Sequence, residues 1–353
     1  MNTPSSKTSP ADSASASASA SASVSASASA SASPVLEIDG LGVRLPGDAA
    51  ARPILDGVSL TVRPGETVGL VGESGSGKSV ACRSALGLLP RGARTSGRVL
   101  VSGRDVLSLP ARELTALRAR EVAMVFQDPR ASVNPLCRVG DFLTEGLRAA
   151  GTRADRATAR AEELLDAVGI RDPRGTLRRH PHQLSGGMLQ RVVIAAALAA
   201  EPALLIADEP TTALDVTTQA EVIAILARLR AERGTGMLFV THDLELASAV
   251  CDRVYVMYAG RIVENRSTDE LFDRPRHPYT AGLLACTPRI EPGAPAPRPI
   301  PGLPVSLAED PTGCAFAARC AHALPRCSRE RPELTPCGDG SAACLRTEEG
   351  ITL

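Results

Sequence analysis

A short segment rich in glycine and serine carries the residue types that bind phosphate. It follows an apolar run that predicts a buried strand and precedes a helical pattern over residues 80–89. Glycines let several backbone N–H groups turn toward one anion, and the helix N-terminus adds partial positive charge. The pattern G-x-x-x-x-G-K-[ST] therefore predicts a phosphate-binding loop, the P-loop. Its residues are Gly72, Glu73, Ser74, Gly75, Ser76, Gly77, Lys78 and Ser79.

The lysine of this loop is unusual for the chain. Of 39 basic residues, only Lys7 and Lys78 are lysine. An ammonium group is a compact charge on a flexible stem, so arginine does not replace it as a phosphate ligand. We expect Lys78 to neutralise the outer phosphates of a nucleotide and the Ser79 hydroxyl to ligate Mg²⁺.

Further polar residues come directly after short apolar runs that predict strands. Gln127 follows one such run, Asp208 and Glu209 follow a second, and His242 comes shortly after a third. Strands that alternate with helices predict a parallel α/β sheet, and such sheets bind ligands beyond the carboxyl ends of their strands. We therefore predict that these residues and the P-loop form one active site.

A second loop before a helix predicts a second anion site. Ser185, Gly186 and Gly187 precede the helical pattern that begins near Leu189. With this loop and the motifs above in order, the chain resembles the nucleotide-binding subunit of ABC transporters over residues 35–270. In that family the second loop, the signature loop, holds ATP that is bound to the other subunit of a dimer.

The resemblance implies a role for each polar residue at the strand ends. Glu209 resembles the general base that polarises the attacking water, a contribution of about 10²–10⁴-fold in rate. Gln127 matches the residue that contacts Mg²⁺ and water and meets the membrane partner. His242 matches the switch histidine near the γ-phosphate.

The same resemblance implies a magnesium site and one more nucleotide contact. Ser79 and Asp208 supply the hydroxyl and the carboxylate that Mg²⁺ needs, together with Gln127. Asp215 ends the segment Ala213–Asp215, which matches the loop that lies beside the nucleotide. ATP and Mg²⁺ are the implied cofactors.

The predicted fold is an α/β P-loop NTPase of the ABC ATPase type. It comprises an antiparallel β subdomain, a helical subdomain over about residues 128–190, and a Cys-rich C-terminal extension. Residues 1–34, with their Ser-Ala alternation, predict a disordered tail. The ATPase domain is predicted at residues 35–270 and the extension at residues 271–353.

Composition argues against two kinds of direct partner. The formal net charge is zero, so no overall basic field favours nucleic acid. The longest near-continuous apolar run, residues 192–200, is too short to span a bilayer. Association with a membrane is therefore expected through a partner protein.

The C-terminal region narrows the resemblance. The arrangement of Cys314, Cys320 and Cys327 resembles the terminal extension of ATPases from dipeptide, oligopeptide and nickel importers. The segments His277–Tyr279 and Ile300–Gly302 support the same assignment. The implied function is ATP hydrolysis in a nucleotide-sandwich dimer, coupled to uptake of dipeptides or oligopeptides.

The implied location is the cytoplasmic face of the cell membrane, as a peripheral protein. The implied partners are two integral-membrane permease subunits, a second ABC ATPase subunit (a homologue or a second copy) and an extracytoplasmic solute-binding protein. Import of nickel or another small solute stays open as an alternative. An export ATPase is a weaker alternative, since it does not predict the Cys-rich tail.

Three other classes fit less well. A DNA-repair ABC protein would need a long heptad insertion between the ATPase motifs, and a translation-type ABC protein would carry two cassettes, whereas this sequence has one P-loop. A regulatory module without turnover would not need Glu209 and His242.

The spacing of the cysteines in the extension does not identify a single ligand. The spacing C-x5-C-x6-C fits zinc poorly, because zinc sites favour pairs two to four residues apart. Four thiolates suit a [4Fe–4S] cluster, as some relatives carry there. Cys337 is an alternative fourth ligand, and zinc and unligated thiols are alternative states. The predicted ligands are Cys314, Cys320, Cys327 and Cys344.

One stretch departs from the family pattern. The family stacks an aromatic residue on adenine upstream of the P-loop, whereas Gly42–Pro46 contains none. Leu45 or Arg44 would have to cover the base instead.

Overall fold

The computed structural model describes residues 33–46, 53–212, 214–287, 296–305 and 312–346. The predicted tail lies outside these residues except for its last two positions, and so does Ala213 of the segment before Asp215.

The central element is an eight-stranded sheet, whose strands we number in chain order. In spatial order the strands are β11 (Thr335–Cys337), β12 (Gly340–Ala342), β10 (Arg261–Ser267), β9 (Arg253–Tyr258), β3 (Thr67–Val71), β8 (Gly236–Thr241), β7 (Leu204–Asp208) and β6 (Val122–Val125). The five strands from β9 to β6 are parallel. The other three pair in antiparallel fashion at one edge.

A second, four-stranded sheet is antiparallel throughout and matches the predicted β subdomain. Its strands in spatial order are β2 (Pro53–Val62), β1 (Leu36–Arg44), β4 (Arg94–Val101) and β5 (Arg104–Asp105).

Helices flank the large sheet and fill the range predicted for the helical subdomain. They are α1 (Lys78–Ser84), α2 (Ala111–Arg120), α3 (Pro129–Ser132), α4 (Val139–Ala149), α5 (Ala154–Ala167), α6 (Pro173–Leu177), α7 (Gly186–Leu198), α8 (Val216–Arg233), α9 (Leu244–Val250), α10 (Thr268–Asp273) and α11 (Pro278–Cys286). None of the helices in the described ranges is both long and apolar enough to cross a membrane.

Two apolar cores cover the two faces of the large sheet, which explains why its strands are apolar runs without polar alternation. Along β7, Leu204 and Ile206 enter the core shared with the antiparallel sheet. Leu205 and Ala207 enter the core shared with the helices. Both faces are buried, so the sheet is rigid, and the ends of its strands are held at fixed positions.

Helix α1 is shorter than its sequence pattern predicts. It begins at Lys78 and ends at Ser84, whereas the pattern extends to residue 89. The chain turns at Gly87, whose φ of 62° is in the left-handed region that glycine adopts readily. The glycine, rather than the later proline, ends the helix.

The C-terminal extension completes the large sheet. Strand β12 pairs with β10, with Ala342 opposite Glu264, and β11 adds outside it. The hairpin of the extension therefore adds two strands to the sheet that carries the P-loop.

Candidate active site

The predicted site residues converge because their strands are neighbours. The strands β3, β8, β7 and β6 lie side by side and run in the same direction. The P-loop follows β3, and His242 follows β8. Asp208 ends β7, Glu209 comes next, and Gln127 lies just past β6. The structure therefore brings together the groups that the sequence predicted at one edge.

Glu209 is the centre of a hydrogen-bonded group. Its Oε2 accepts hydrogen bonds from Gln127 Nε2 and from Thr212 Oγ1, both at 2.9 Å. Its Oε1 lies 3.3 Å from His242 Nδ1. The Glu209 side chain is 16% exposed, and its backbone φ of 48° is strained for a residue other than glycine. Strain of this kind is typical of active-site residues, and here it aims the carboxylate beyond the end of the sheet.

Asp208 and Ser79 form the second polar contact of the site. Ser79 Oγ donates a hydrogen bond to Asp208 Oδ1 at 3.2 Å. Asp208 is buried, and this burial raises the pKa of its carboxyl. A buried carboxylate beside a hydroxyl is a suitable oxygen pair for Mg²⁺. Among the described residues, no group of three or more Cys, His, Asp or Glu side chains is arranged to hold a metal ion.

Lys78 is folded back onto its own loop. Its Nζ donates hydrogen bonds to the carbonyl oxygens of Gly72 and Glu73, at 2.7 and 2.9 Å. Burial lowers the pKa of the ammonium, and the nearby Glu209 and Asp208 oppose that shift. The lysine is therefore placed with its charge inside the loop.

The backbone of the P-loop forms a cradle that only glycine permits at its first position. Gly72 has a φ of 154°, and a Cβ there would lie 2.2 Å from the carbonyl oxygen of Met257. Ser76 Oγ is buried and has no hydrogen-bond partner among the described residues. An orphaned hydroxyl in a glycine-rich loop before a helix fits a loop that takes phosphate oxygens.

The signature loop caps a helix and remains exposed. Ser185 is the N-cap of α7, and its Oγ accepts a hydrogen bond from Met188 N at 3.2 Å. Ser185 and Gly186 are exposed. Asp215 caps α8 by accepting hydrogen bonds from Thr218 N and Oγ1, at 3.0 and 2.8 Å. These hydrogen bonds lower the pKa of the Asp215 carboxyl.

The predicted cysteine ligands lie together in the extension. Cys314, Cys320, Cys327 and Cys344 line one cavity of about 20 Å³, room for about one water molecule. Burial raises the pKa of the Cys314 thiol to about 11 and also raises that of Cys320. Cys337 is not in the lining but lies on β11. The geometry groups Cys344, rather than Cys337, with the other three.

Sequence patterns missed several residues that contact the site. Thr212 is bonded to Glu209, and buried Gln190 in α7 donates to the carbonyl of Pro210 at 2.7 Å. Tyr279 and Arg319 of the extension both contact Glu73. The segments around Thr212 and Tyr279 were singled out by their motifs, but nothing in their spacing indicates these contacts.

The region predicted to meet adenine gives no further support. Arg44 is exposed at the end of β1 and Leu45 is half-buried. Their contact with the base stays a prediction.

Two family models match the chain. One, described as ABC transporter, matches residues 55–212, and the other, described as oligopeptide/dipeptide transporter C-terminal region, matches residues 263–327. The first spans the P-loop, the signature loop, Gln127 and Glu209, and it ends before His242. The second spans most of the extension and ends at the third predicted cysteine ligand.

Curated relatives match most of the chain. A protein of Sinorhizobium fredii described as a probable peptide ABC transporter ATP-binding protein is 44% identical, over 90% of this chain and 97% of its own length. The oligopeptide transport ATP-binding protein OppD of Salmonella typhimurium is 44% identical, over 84% and 89%. OppD of Mycobacterium tuberculosis is 45% identical over 90% of this chain, which spans only about half (52%) of that protein.

Solved structures of ATP-binding cassettes match about two thirds of the chain. The dimeric cassette MJ0796 bound to ADP and Pi has a TM-score of 0.60 and 27% identity, covering 66% of this chain and 98% of that one. CbiO1 of Clostridium perfringens has a TM-score of 0.59 and 28% identity, covering 68% and 91%.

Proposed function

The chain belongs to the family of ABC transporter ATP-binding proteins that carry the oligopeptide/dipeptide transporter C-terminal region, and from this membership we propose that it hydrolyses ATP to drive peptide uptake across the cell membrane. The observation that carries the proposal is the convergence of the P-loop, Asp208, Glu209, Gln127 and His242 at adjacent strand ends. The relatives described as peptide transport or import proteins support the substrate class.

In this proposal the P-loop amides and Lys78 bind the phosphates of ATP. Lys78 exchanges its two loop carbonyls for phosphate oxygens, which are stronger partners because they are charged. Ser79 and Asp208 hold Mg²⁺, which supplies charge neutralisation for the phosphates when bound. The hydrogen bond between the half-buried Ser79 hydroxyl and the buried Asp208 carboxylate, 3.2 Å long, is the local support for this assignment.

Glu209 is the proposed base for the attacking water. Gln127 and Thr212 each donate to one carboxylate oxygen, and His242 lies against the other. These contacts fix the rotamer of the carboxylate beyond the sheet. They leave the outward lone pairs of the carboxylate to accept the proton of a water aligned with the γ-phosphate. His242 is then the group next to the transferred phosphate.

The exposed signature loop supports a dimer in which Ser185, Gly186 and Gly187 contact ATP on a partner subunit. That partner is a second copy or a related ATPase. The further proposed partners are two integral-membrane permease subunits and an extracytoplasmic solute-binding protein. The protein would then act as a peripheral subunit on the cytoplasmic face of the membrane.

The test is uptake of a labelled dipeptide by cells that lack this chain. Wild type should restore uptake, whereas Glu209→Gln should not, although it should still bind ATP. In purified form, Glu209→Gln should hydrolyse ATP about 10²–10⁴-fold more slowly and accumulate an ATP-bound dimer. Unchanged turnover in this variant would overturn the role of Glu209. Unchanged uptake in the deletion strain would favour nickel or another small solute as cargo.

Four thiolates are the ligands of a [4Fe–4S] cluster, and we keep that cluster as the proposed ligand of the extension, although these four described cysteines are not arranged to hold a metal ion in this structure. The cavity that they line has room for about one water molecule, so the surrounding loops would have to open to admit a cluster. Anaerobic purification, with iron, sulfide and zinc assays and visible absorbance, tests this. Cys320→Ser should abolish the signal, and Cys337→Ser is the matched control. Zinc alone, or no metal, contradicts the cluster.

A further inference from the structure

The second residue of the P-loop, Glu73, is held from two directions by the C-terminal extension. Arg319 forms a bidentate ion pair with its carboxylate, at 2.7 and 3.0 Å. The hydroxyl of Tyr279 accepts a hydrogen bond from Glu73 N at 2.8 Å. Both partners lie more than 200 residues further along the chain. Side chain and backbone of one P-loop residue are therefore fixed by a different part of the fold.

Arg319 is placed for this contact by the extension itself. Its side chain is only 4% exposed. Its Nε donates to the carbonyl of Pro301 at 2.8 Å, and its guanidinium lies over the rings of Tyr258 and Phe316. A planar guanidinium that is held by a carbonyl and two rings presents its remaining N–H groups in one direction. That direction is toward Glu73.

Tyr279 is equally constrained. It is fully buried, and its ring packs against Tyr258 and Phe316, with centroids 4.6 and 5.3 Å apart. Its own N–H donates to His277 Nδ1, the cap of α11, at 3.0 Å. The whole chain has only eight Phe and Tyr residues, and three of them meet here. This cluster joins Tyr279 and Phe316 of the extension to Tyr258 of β9 in the ATPase body, next to the P-loop.

Glu73 passes this constraint on to the lysine of the loop. The carbonyl oxygen of Glu73 accepts hydrogen bonds from Lys78 Nζ and from Ser76 N, at 2.9 and 3.2 Å. A shift of Glu73 would therefore move a partner of Lys78 and the backbone turn around Ser76. We propose that Arg319 and Tyr279 are positioning residues that hold the P-loop, through Glu73, in the shape that binds and hydrolyses ATP.

This proposal rests on the proposed function, since it assumes that the P-loop of this chain binds and hydrolyses ATP. It goes further by making the extension a structural part of the nucleotide site. Arg319 also lies directly before Cys320 in the chain.

The test compares ATP hydrolysis and equilibrium binding of a fluorescent ATP analogue in the full-length protein. Arg319→Met keeps an unbranched apolar stem and removes the ion pair. A lost charge-assisted hydrogen bond corresponds to a loss of about tenfold to hundredfold in kcat/KM. Arg319→Lys should recover part of this loss. Combining Glu73→Gln with Arg319→Met should reduce kcat/KM no further than Arg319→Met alone.

The matched control is Asp339→Asn. Asp339 accepts from buried Arg266 and from Ser267 N, at 2.8 and 2.9 Å, so it too joins the extension to the ATPase body, but not at the P-loop. We expect Asp339→Asn to lower the unfolding temperature without changing the KM for ATP. If it reduced kcat/KM as much as Arg319→Met, the effect would be one of general stability and the proposal would be wrong.

Tyr279→Phe tests the same proposal if Arg319→Met fails to fold. It removes only the oxygen that accepts from Glu73 N and keeps the ring packing, so we expect a several-fold higher KM with a nearly unchanged unfolding temperature. Wild-type kinetics in Tyr279→Phe and Arg319→Met would overturn the positioning role. A wild-type protein that did not hydrolyse ATP would instead contradict the proposed function.

Discussion

The P-loop and the signature loop are both glycine- and serine-rich segments at a helix N-terminus, yet the protein treats them differently. In the P-loop, Glu73, Ser76 and Lys78 are bonded within the loop or to the extension. In the signature loop, Ser185 bonds only to its own helix among the contacts described, and Gly186 is exposed. Two sites with similar chemistry therefore differ in how far this chain alone completes them. The P-loop is preorganised by contacts within this chain, whereas the signature loop exposes its hydroxyl and backbone N–H groups to solvent.

The largest effect is expected from a substitution inside the P-loop. Lys78→Ala removes the only cation inside the P-loop, and loss of one such preorganised charge corresponds to at least about a hundredfold loss in rate. We expect both ATP binding and hydrolysis to fall, as measured by equilibrium binding and phosphate release. Retained ATP binding in this variant would show that the backbone amides suffice. ATP binding by the P-loop would then not depend on Lys78.

A charge in the signature loop should separate binding from hydrolysis. A Cβ at Gly186 meets nothing within 4 Å, and an acidic residue at a helix N-terminus is favourable for the helix. Gly186→Asp should therefore fold normally, yet repel a partner's phosphates. We expect hydrolysis to fall by about tenfold or more, since a like charge about 4 Å from a phosphate costs about 1 kcal/mol in water and more in a partly desolvated site.

The control for that experiment is Gly186→Ala, which adds a methyl group without charge. ATP binding to the single subunit should be the same in both variants, because the P-loop is untouched. If Gly186→Asp hydrolysed ATP as fast as Gly186→Ala, the signature loop would not contact phosphate. The two loops would then differ in exposure and hydrogen bonding, but the signature loop would have no role in binding phosphate.

Acid should weaken the support of the P-loop rather than the signature loop. Burial lowers the pKa of His277 to about 4, from an ordinary value of 6.5. Between these pH values the imidazole therefore binds a proton in the unfolded chain but not in the folded chain. The contribution of His277 to the free energy of unfolding is thus fully present above pH 6.5 and is lost as the pH falls toward 4. The loss is on the order of 3 kcal/mol.

His277→Asn is the matched comparison, because asparagine also caps helices but does not titrate in this range. Glu264, whose pKa burial raises, accepts from the backbone N–H of Arg276 and His277 and is unchanged in both proteins. Denaturant unfolding at pH 6.5 and pH 4 should show a steeper loss for wild type than for His277→Asn. If the free energy of unfolding fell equally in both proteins between pH 6.5 and pH 4, His277 would not be the source of the acid sensitivity.

The smallest expected effect lies beside the signature loop. Asp215→Ala removes the cap of α8, which costs about 1 kcal/mol of stability. A Cβ on Gly187 would lie 2.6 Å from Thr218 Cγ2, so the first turn of α8 packs closely against the signature loop. We expect a modest loss of hydrolysis as well. Asp172→Ala, which uncaps α6, should lower stability similarly and leave hydrolysis unchanged; equal kinetic effects would contradict a specific role for Asp215.

The sequence predicted the fold class and the meeting of the site residues, because both follow from local patterns. Apolar runs that end in polar residues indicate parallel strands, and the carboxyl ends of such strands share one edge. The family membership and the solved structures confirm the fold. The roles assigned to Gln127, Glu209 and His242 stay predictions, although the structure places the three in contact.

The contacts that the sequence did not predict are long-range ones. Glu73 and Arg319 are 246 positions apart, and no spacing or composition links a particular glutamate to a particular arginine over that distance. The same reason explains why the sequence patterns did not indicate that β11 and β12 join the large sheet. Its pairing with β10 depends on where the intervening helices return the chain, and local pattern does not encode that.

The contact between Glu73 and the extension also sets an order on biosynthesis. A chain leaves the ribosome from its N-terminus, so the P-loop emerges long before Tyr279 and Arg319 exist. Strands β11 and β12 are made later still, although they belong to the same sheet as β3. During translation the ATPase body therefore first has a P-loop that lacks the contacts of Glu73 with the extension, and a sheet in which β10 is an unpaired edge. Tyr279, Arg319 and the two strands supply both only later, so the nucleotide site is completed after the ATPase body has been synthesised.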